Sequence, residues 1–261
     1  MLQLLIFGPG YTAKRIAALW DARGARITFI GRSLLDDSAA VAGLIAGATH
    51  ILSSVPPEAD HDPVLARYAA EIAAAPASWI GYLSSTGVYG DSGGAWIDEG
   101  TPVGGRRPAR NAADLAWNAI HPETRVFRLP GIYGPGRSAL DRLTEGKAHR
   151  IDLPGQVFSR IHVDDIASGV MASIDGGPAG IYNLADDHPA PQNDVISHAA
   201  RLLGMPVPPL LSLEAAQLSP LARAFYAENR RVSNGKAKRL LSWRPRYSDY
   251  RTGLASCKTM G

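Results

Sequence analysis

Six residues near the start of the chain, Gly8-Pro9-Gly10-Tyr11-Thr12-Ala13, have the types and spacing of a phosphate-binding turn. They follow an apolar run at residues 2–7 and open a segment with apolar residues at Ala13, Ile16, Ala17 and Trp20. Strand, glycine turn and helix in that order are the context a G-x-G-x-x-A fingerprint requires. Gly8 would make the tight turn, Gly10 would let a pyrophosphate approach the backbone, and Ala13 would let the helix pack close to the sheet. Tyr11 and Thr12 complete the turn into a helix whose free N–H groups and positive end attract phosphate. The expected chemistry is dinucleotide binding; the alternative is an ordinary strand–helix turn that contains two glycines. The second predicted strand, residues 26–30, ends in Gly31-Arg32-Ser33. An NAD site usually carries an acid about 20 residues past the glycines, to accept from the ribose 2′-OH. Here Arg32 would pair with a 2′-phosphate and Ser33 would donate to it, and no carboxylate occurs before Asp36. NADP is therefore the expected cofactor, with NAD as the alternative and a solvated Arg32 as the bland reading.

The elements that must position this turn alternate. Residues 50–55 read as a strand ending at Pro56-Pro57, which puts Val55 and Pro56 beside the cofactor. Asp62 can cap and Pro63 can open a helix with Leu65, Tyr68, Ala69 and Ile72 on one face. A strand at 79–84, a helix at 110–120 and a strand at 125–129 follow. Such alternation predicts an α/β protein with a doubly wound parallel sheet, an NAD(P)-binding Rossmann fold. The interval 33–49 has room for one helical segment at most, where a Rossmann half usually holds helix, strand and helix. Either an element has been lost there or residues are missing. Beyond Gly134-Pro135-Gly136 the pattern changes, with a helix from Ala139, a helix at 164–174, a strand at 182–185 and a helix capped by Asn193 and ended by Gly204. A Pro-rich run at 206–209 and a basic, polar tail from Arg230 complete a smaller lobe. The expected organisation is a nucleotide-binding domain over 1–130, with returning segments near 160–185, and a mainly C-terminal substrate-binding lobe over 131–261.

The chain of 261 residues can bury a sizeable core, and 46% hydrophobic residues is ordinary for a globular protein. Its apolar runs fall short of the ~18–20 residues that span a bilayer. Met1 leads straight into the first strand, so no signal peptide is expected. The single cysteine, Cys257, excludes an internal disulfide and a cysteine metal cluster and suits a reducing cytoplasm. Net charge is +3 with the basic residues scattered, so neither nucleic acid nor membrane is an expected partner. No H-E-x-x-H, Cys/His cluster or G-x-S-x-G elbow occurs, which leaves no metal site or serine-hydrolase centre to expect.

Several further segments appear in order: Leu83-Ser84-Ser85-Thr86-Gly87-Val88-Tyr89-Gly90, Arg128-Leu129-Pro130-Gly131-Ile132-Tyr133-Gly134-Pro135-Gly136, Ile161-His162-Val163-Asp164-Asp165-Ile166-Ala167, Tyr182-Asn183 and Leu241-Ser242-Trp243-Arg244-Pro245. With the glycine turn, this ordered set resembles the extended short-chain dehydrogenase/reductase superfamily, the NAD-dependent epimerase/dehydratase group. Its details look most like the atypical YeeZ-like branch, whose members largely lack assigned reactions. The resemblance implies a catalytic Ser at Ser85, and contact of Pro130 and Ile132 with the nicotinamide carboxamide. It also implies a Tyr-x-x-x-Lys couple, and here the chain departs from the pattern: counting back from Ala113-Asp114, those positions hold Arg106 and Arg110. A guanidinium stays protonated, so Arg106 cannot cycle a proton as tyrosine does. Arg110 can still hold a ribose hydroxyl or stabilise an oxyanion, and the two arginines share a face if the helix begins that early. Otherwise they form a solvated basic face, and Pro108 between them points to a later helix start. Tyr89 and Tyr133 are thinly supported proton carriers. The His-Val-Asp-Asp segment implies a structural role for His162.

These readings lead to an NADP-dependent oxidoreductase or epimerase-like enzyme acting on a small, hydroxyl- or carbonyl-bearing substrate, with Ser85, Arg106 and Arg110 as the catalytic candidates. The alternatives are a non-catalytic NADP-binding redox sensor and a structural scaffold with a residual site. Relatives often dimerise through flank helices, so a homodimer in the cytoplasm is the expected assembly.

Overall fold

The computed structural model describes residues 2–259. Its centre is a six-stranded, fully parallel sheet. Strands β1 (Gln3–Phe7), β2 (Arg26–Ile30), β3 (His50–Ser53), β4 (Trp79–Ser85), β6 (Thr124–Leu129) and β10 (Gly180–Asn183) lie in the order β10-β6-β4-β3-β1-β2. Alternate residues serve opposite faces. Leu4 and Ile6 of β1 pack under α1 (Tyr11–Asp21), α7 (Val163–Asp175) and α10 (Gly235–Leu240). Leu5 and Phe7 pack under α3 (Ser38–Gly47), α4 (Leu65–Ala73) and α5 (Pro108–Ile120). A sheet covered on both faces buries its central strands throughout, as in β3 and β6.

The chain leaves β1 toward β2 on one side and returns to β3 on the other. The C-terminal ends of β1 and β3 therefore flank a topological switch point, where open α/β sheets bind ligands. The interval 33–49 contains two helices, α2 (Arg32–Leu35) and α3, where one segment at most was expected. A break at Asp36-Asp37 divides them, and Asp37 caps α3 by accepting from the Ala40 N–H at 3.1 Å. No strand forms in this interval, so β2 ends the sheet and the crossover to β3 is made by helices alone.

Asp62 performs the capping expected of it. Its Oδ1 accepts from the Val64 and Leu65 N–H groups, both at 2.9 Å, and its Oδ2 accepts from Trp117 Nε1. Trp117 is fully buried and stacks on Tyr82 with 5.2 Å between ring centroids, which docks α5 on β4. Burial of a side chain of this size contributes about 3 kcal/mol. Deeper in the same contact, Arg128 of β6 forms a two-nitrogen bond to Asp114 of α5, which also accepts from Ser84 Oγ at 2.6 Å. Both charged side chains are sealed from solvent, at 2% and 0% exposure.

Beyond the sheet, α6 (Ala139–Thr144), α8 (Gln192–Leu203) and α11 (Tyr250–Thr259) share a separate core that includes Leu140, Leu143, Ile196, Ala199 and Leu254. Short parallel ladders surround it: β5 (Trp96–Ile97) with β12 (Arg231–Val232), β7 (Gly131–Tyr133) with β9 (Arg160–His162), and β8 (Arg150–Ile151) with β11 (Leu210–Leu211). A short helix, α9 (Pro220–Phe225), lies between β11 and β12. Gly204 ends α8 in the left-handed conformation, as its position predicts, but Asn193 is not the cap. Asn193 lies inside the helix and turns its amide onto β8, donating to the Ile151 carbonyl and accepting from its N–H. A tertiary partner outcompeted the local capping role. No described helix is long and apolar enough to cross a membrane.

Candidate active site

The glycine turn sits at the switch point. Gly8 has φ +84°, a left-handed conformation that a side chain resists, and a Cβ there would stand 3.0 Å from Ser54 Oγ and Val55 Cγ2. Ser54 Oγ donates to the Gly8 carbonyl at 2.7 Å, tying the ends of β1 and β3 together. Gly10 is different. Its backbone is extended, and a Cβ would meet only Ser54 Oγ at an ordinary 3.8 Å, so the protein's own packing does not require glycine there. No side chain caps α1 at Gly10, which leaves its first-turn amides for a phosphate. Thr12 and Ala13 are buried, with Ala13 in the core beneath the helix, and these residues fit a dinucleotide pyrophosphate.

Arg32 and Ser33 are exposed at the end of β2, and no hydrogen bond or ion pair among the described residues engages the Arg32 side chain. Val55 lies against Gly8, and Pro56 follows it in an exposed position. Tyr11 spans to the other side of the cleft. Its hydroxyl donates to the Pro135 carbonyl at 3.0 Å, and burial pushes its pKa up to about 12, so the donor persists at any ordinary pH.

A cavity of about 810 Å³ opens between the sheet ends and the C-terminal lobe. Ser85, Arg106, Arg110, Pro130 and Ile132 all line it. Ser85 ends β4 and accepts from the Gly87 N–H at 3.1 Å, which leaves its own O–H free to donate into the cleft. The two arginines part company. Helix α5 starts at Pro108, so Arg106 lies before it and the shared helical face does not form. Arg106 instead donates to Glu228 Oε1 at 2.8 Å and to the Ala224 carbonyl at 2.6 Å, holding the segment after α9 against the cleft. Arg110 sits in the first turn of α5, half-buried, and engages no hydrogen bond or ion pair among the described residues. Burial without a counter-ion lowers its pKa.

The other proton carriers are occupied. Tyr89 donates to Asn183 Oδ1 at 2.8 Å under the Arg128 guanidinium. Tyr133 lines the cavity, but burial raises its pKa far above the usual phenol value. His162 caps α7 by accepting from the Asp164 N–H, and burial keeps the ring neutral. Asp165 accepts from the Arg246 and Tyr247 N–H groups at 2.6 and 3.0 Å, joining the closing segment to α7. That segment is structural, as the resemblance implied.

Sequence reasoning missed the far wall of the cleft. Phe158, Arg160, Tyr226, Glu228 and Arg230 also line it. Phe158 and Arg160 are two residues apart and flank the His-Val-Asp-Asp segment, a period-2 signal that was available. Tyr226 to Arg230 had none, since they reach the cleft from the irregular tail. Behind the wall, Asp186 is 2% exposed and neither carboxyl oxygen has a hydrogen-bond partner. Burial pushes its pKa from 3.8 up to about 8, against the opposing pull of Arg160. The native state therefore holds a proton that the unfolded chain releases between about pH 4 and pH 8, and stability falls as pH rises through that window. Asp186→Asn keeps the shape and removes the titration. Urea denaturation should show the variant more stable than wild type at pH 8, with the difference vanishing near pH 4.

Comparison with known proteins places these features. No protein-family model matches the chain. The structure of a functionally unknown conserved protein from Silicibacter pomeroyi DSS is 42% identical, with a TM-score of 0.90 over 100% of this chain and 99% of that one. A 3-diazoavenalumate denitrifying reductase from a Streptomyces species is 31% identical over 140 residues, a match covering 49% of this chain and 45% of the reductase. A dTDP-4-dehydrorhamnose reductase from Streptomyces griseus is 26% identical over 92% of this chain and 90% of its own length. More distant solved structures share the fold at TM-scores of 0.77–0.79 and carry NADPH or NAD.

Proposed function

The chain belongs to the family of the conserved Silicibacter pomeroyi protein, and we propose that it is a short-chain dehydrogenase/reductase of epimerase/dehydratase type that acts as an NADP(H)-dependent reductase of a small carbonyl or equivalent electrophile. The observation that carries this is the switch-point turn, where Gly10 has no internal reason to be glycine. The arginine at the end of β2 adds the preference for a 2′-phosphate. When bound, the nicotinamide supplies the hydride. Pro130 and Ile132 would hold its carboxamide edge. Ser85 would donate its free O–H to the substrate oxygen as negative charge develops there. Arg110, at the position of the superfamily's lysine, would hold a ribose hydroxyl and add positive potential beside that oxygen. Arg106 acts on the protein alone, as a tether for the segment around Glu228.

The proton follows a different route from the usual one. Raised phenol pKa values make Tyr133 and Tyr226 poor acids, and neither arginine can give a proton at ordinary pH. The product oxygen would then take its proton from solvent or from another group that lines the cavity, such as His149. The same absence of a tyrosine–lysine couple favours a second reading, a non-catalytic NADP-binding sensor. Stereospecific transfer of deuterium from labelled NADPH to a carbonyl product separates the two, since a sensor transfers none.

Cofactor choice is tested by fluorescence titration. Wild type should bind NADPH more tightly than NADH, and Arg32→Asp should weaken NADPH roughly 10- to 100-fold while sparing NADH, as expected for loss of charge-assisted bonds to a phosphate. Tighter NADH binding by wild type would overturn the assignment of Arg32.

A further inference from the structure

Of the cations that line the cleft, Arg107, Arg110, Arg137, Arg142 and Arg160 have no carboxylate within ion-pair distance among the described residues, and Arg160 is the buried one. Arg106 and Arg230 share Glu228, and Asp141 is occupied at the start of α6, where it accepts from the Ser138 backbone and hydroxyl. Arg110 has no partner. Arg160, at 8% exposure, is held only by neutral acceptors. Its Nη1 donates to the Phe158 and Ala190 carbonyls at 2.8 and 2.9 Å, and its Nη2 donates to Gln192 Oε1 at 2.7 Å. A guanidinium has five N–H donors, so the Nε–H and one Nη2–H of Arg160 remain without a protein acceptor. No described carboxylate lies within ion-pair distance of it. The acid behind it, Asp186, forms no ion pair with it, and burial pushes that carboxyl up to about 8 against the pull of Arg160.

The wall beside Arg160 is aromatic. Its guanidinium lies 5.9 Å from the Phe158 ring centroid. Phe225 stacks on Phe158 with centroids 4.5 Å apart, and Tyr226 meets the Phe158 ring edge-on at 5.6 Å. Phe225 is 51% exposed, so this stack leaves an apolar surface open to the cleft. A buried cation without a counter-ion is costly to keep, and it favours a ligand that brings one. Apolar rings beside the same cation favour a flat, apolar body on that ligand.

The geometry points to an aromatic carboxylate as the substrate class, with its acid group on the free donors of Arg160, its ring against Phe158 and Tyr226, and its electrophilic end toward Ser85 and Arg110. This deepens the reductase reading and rests on it for the direction of the reacting end. A sugar or neutral ketone would leave the Arg160 charge unanswered and the aromatic wall wet. A nucleotide sugar would bring charge to the cleft, but its sugar would face the apolar wall.

Calorimetric titration of the full-length protein, saturated with NADPH, tests the assignment with trans-cinnamate, its methyl ester and UDP-glucose as probes. Cinnamate should bind at least tenfold more tightly than the uncharged ester and more tightly than UDP-glucose. Phe225→Ala, on an exposed position that does not endanger folding, should weaken cinnamate several-fold. Arg160→Met should erase the difference between acid and ester; should it fail to fold, the wild-type comparison of acid and ester decides by itself. Equal binding of acid and ester, tighter UDP-glucose, or no cinnamate binding would overturn the substrate class. The NADPH titration on the same sample is read separately. NADPH binding without cinnamate binding defeats this inference alone, and cinnamate binding without NADPH binding defeats the cofactor reading alone.

Discussion

Arg128→Met should lower the free energy of unfolding by about 3–5 kcal/mol, the range for breaking one partner of a buried ion pair. The substitution removes the two nitrogens that hold Asp114 at 3.1 and 2.6 Å and leaves a carboxylate with no exposure and one remaining donor, Ser84. It also removes the cation above the Tyr89 ring, 4.7 Å from its centroid. Asp114→Asn should cost less, because an amide keeps the shape and can still accept from Arg128 and Ser84. Replacing both charged residues with apolar ones of similar volume should recover most of the loss, since the desolvation cost of both charges then disappears. Urea denaturation of the single and double variants supplies the cycle. A loss below about 1 kcal/mol for Arg128→Met would mean that the pair behaves like a surface salt bridge. The functional stake is position: this pair holds the middle of α5 against β4 and β6, one turn beyond Arg110, and so helps fix Arg110 relative to Ser85.

Ser85→Ala should slow hydride transfer by about 10²–10³-fold, the usual effect of removing one donor to a developing oxyanion. NADPH affinity should not change. Ser85 accepts from the Gly87 N–H, so its hydrogen has no competing acceptor and points its donor capacity at the cleft. Alanine also removes the cap that Ser85 gives the 3-10 turn Thr86–Tyr89, and urea denaturation beside the kinetics separates that loss from the loss of the donor. Single-turnover oxidation of NADPH separates the effect on chemistry from any effect on binding. An unchanged rate would remove Ser85 from the catalytic centre. Ser84→Ala offers the contrast: Ser84 is buried on Asp114, so its loss should appear in stability, with the chemical step unaffected.

Much of the fold was legible because its signals are local. The strand–turn–helix at residues 3–21, the caps at Asp62 and Gly204, and each strand or helix of the alternation are set by residues close together in sequence. The errors have causes of different range. The interval 33–49 read as too short because the expected strand was absent, and two short helices cover the crossover without it. Asn193 read as a cap because its type and position suit one, but Ile151, 42 residues away, offered its amide two partners. The pairing of Arg106 with Arg110 depended on where α5 begins, and Pro108 marks that start.

The sequence by itself determined the glycine turn on which the proposed cofactor site rests. Gly8, Gly10 and Ala13 act through the backbone and through absent side chains, and those properties belong to residue types at fixed spacing. Only the tertiary structure decided the substrate half. Arg106 meets Glu228 across 122 residues, and Arg160 meets Gln192 across 32, and no periodicity encodes such meetings. Whether an arginine is free or neutralised depends on which distant carboxylate packing brings beside it. That is why Arg106 proved to be a tether, while Arg110 and Arg160 were left facing the cleft with their charge unanswered.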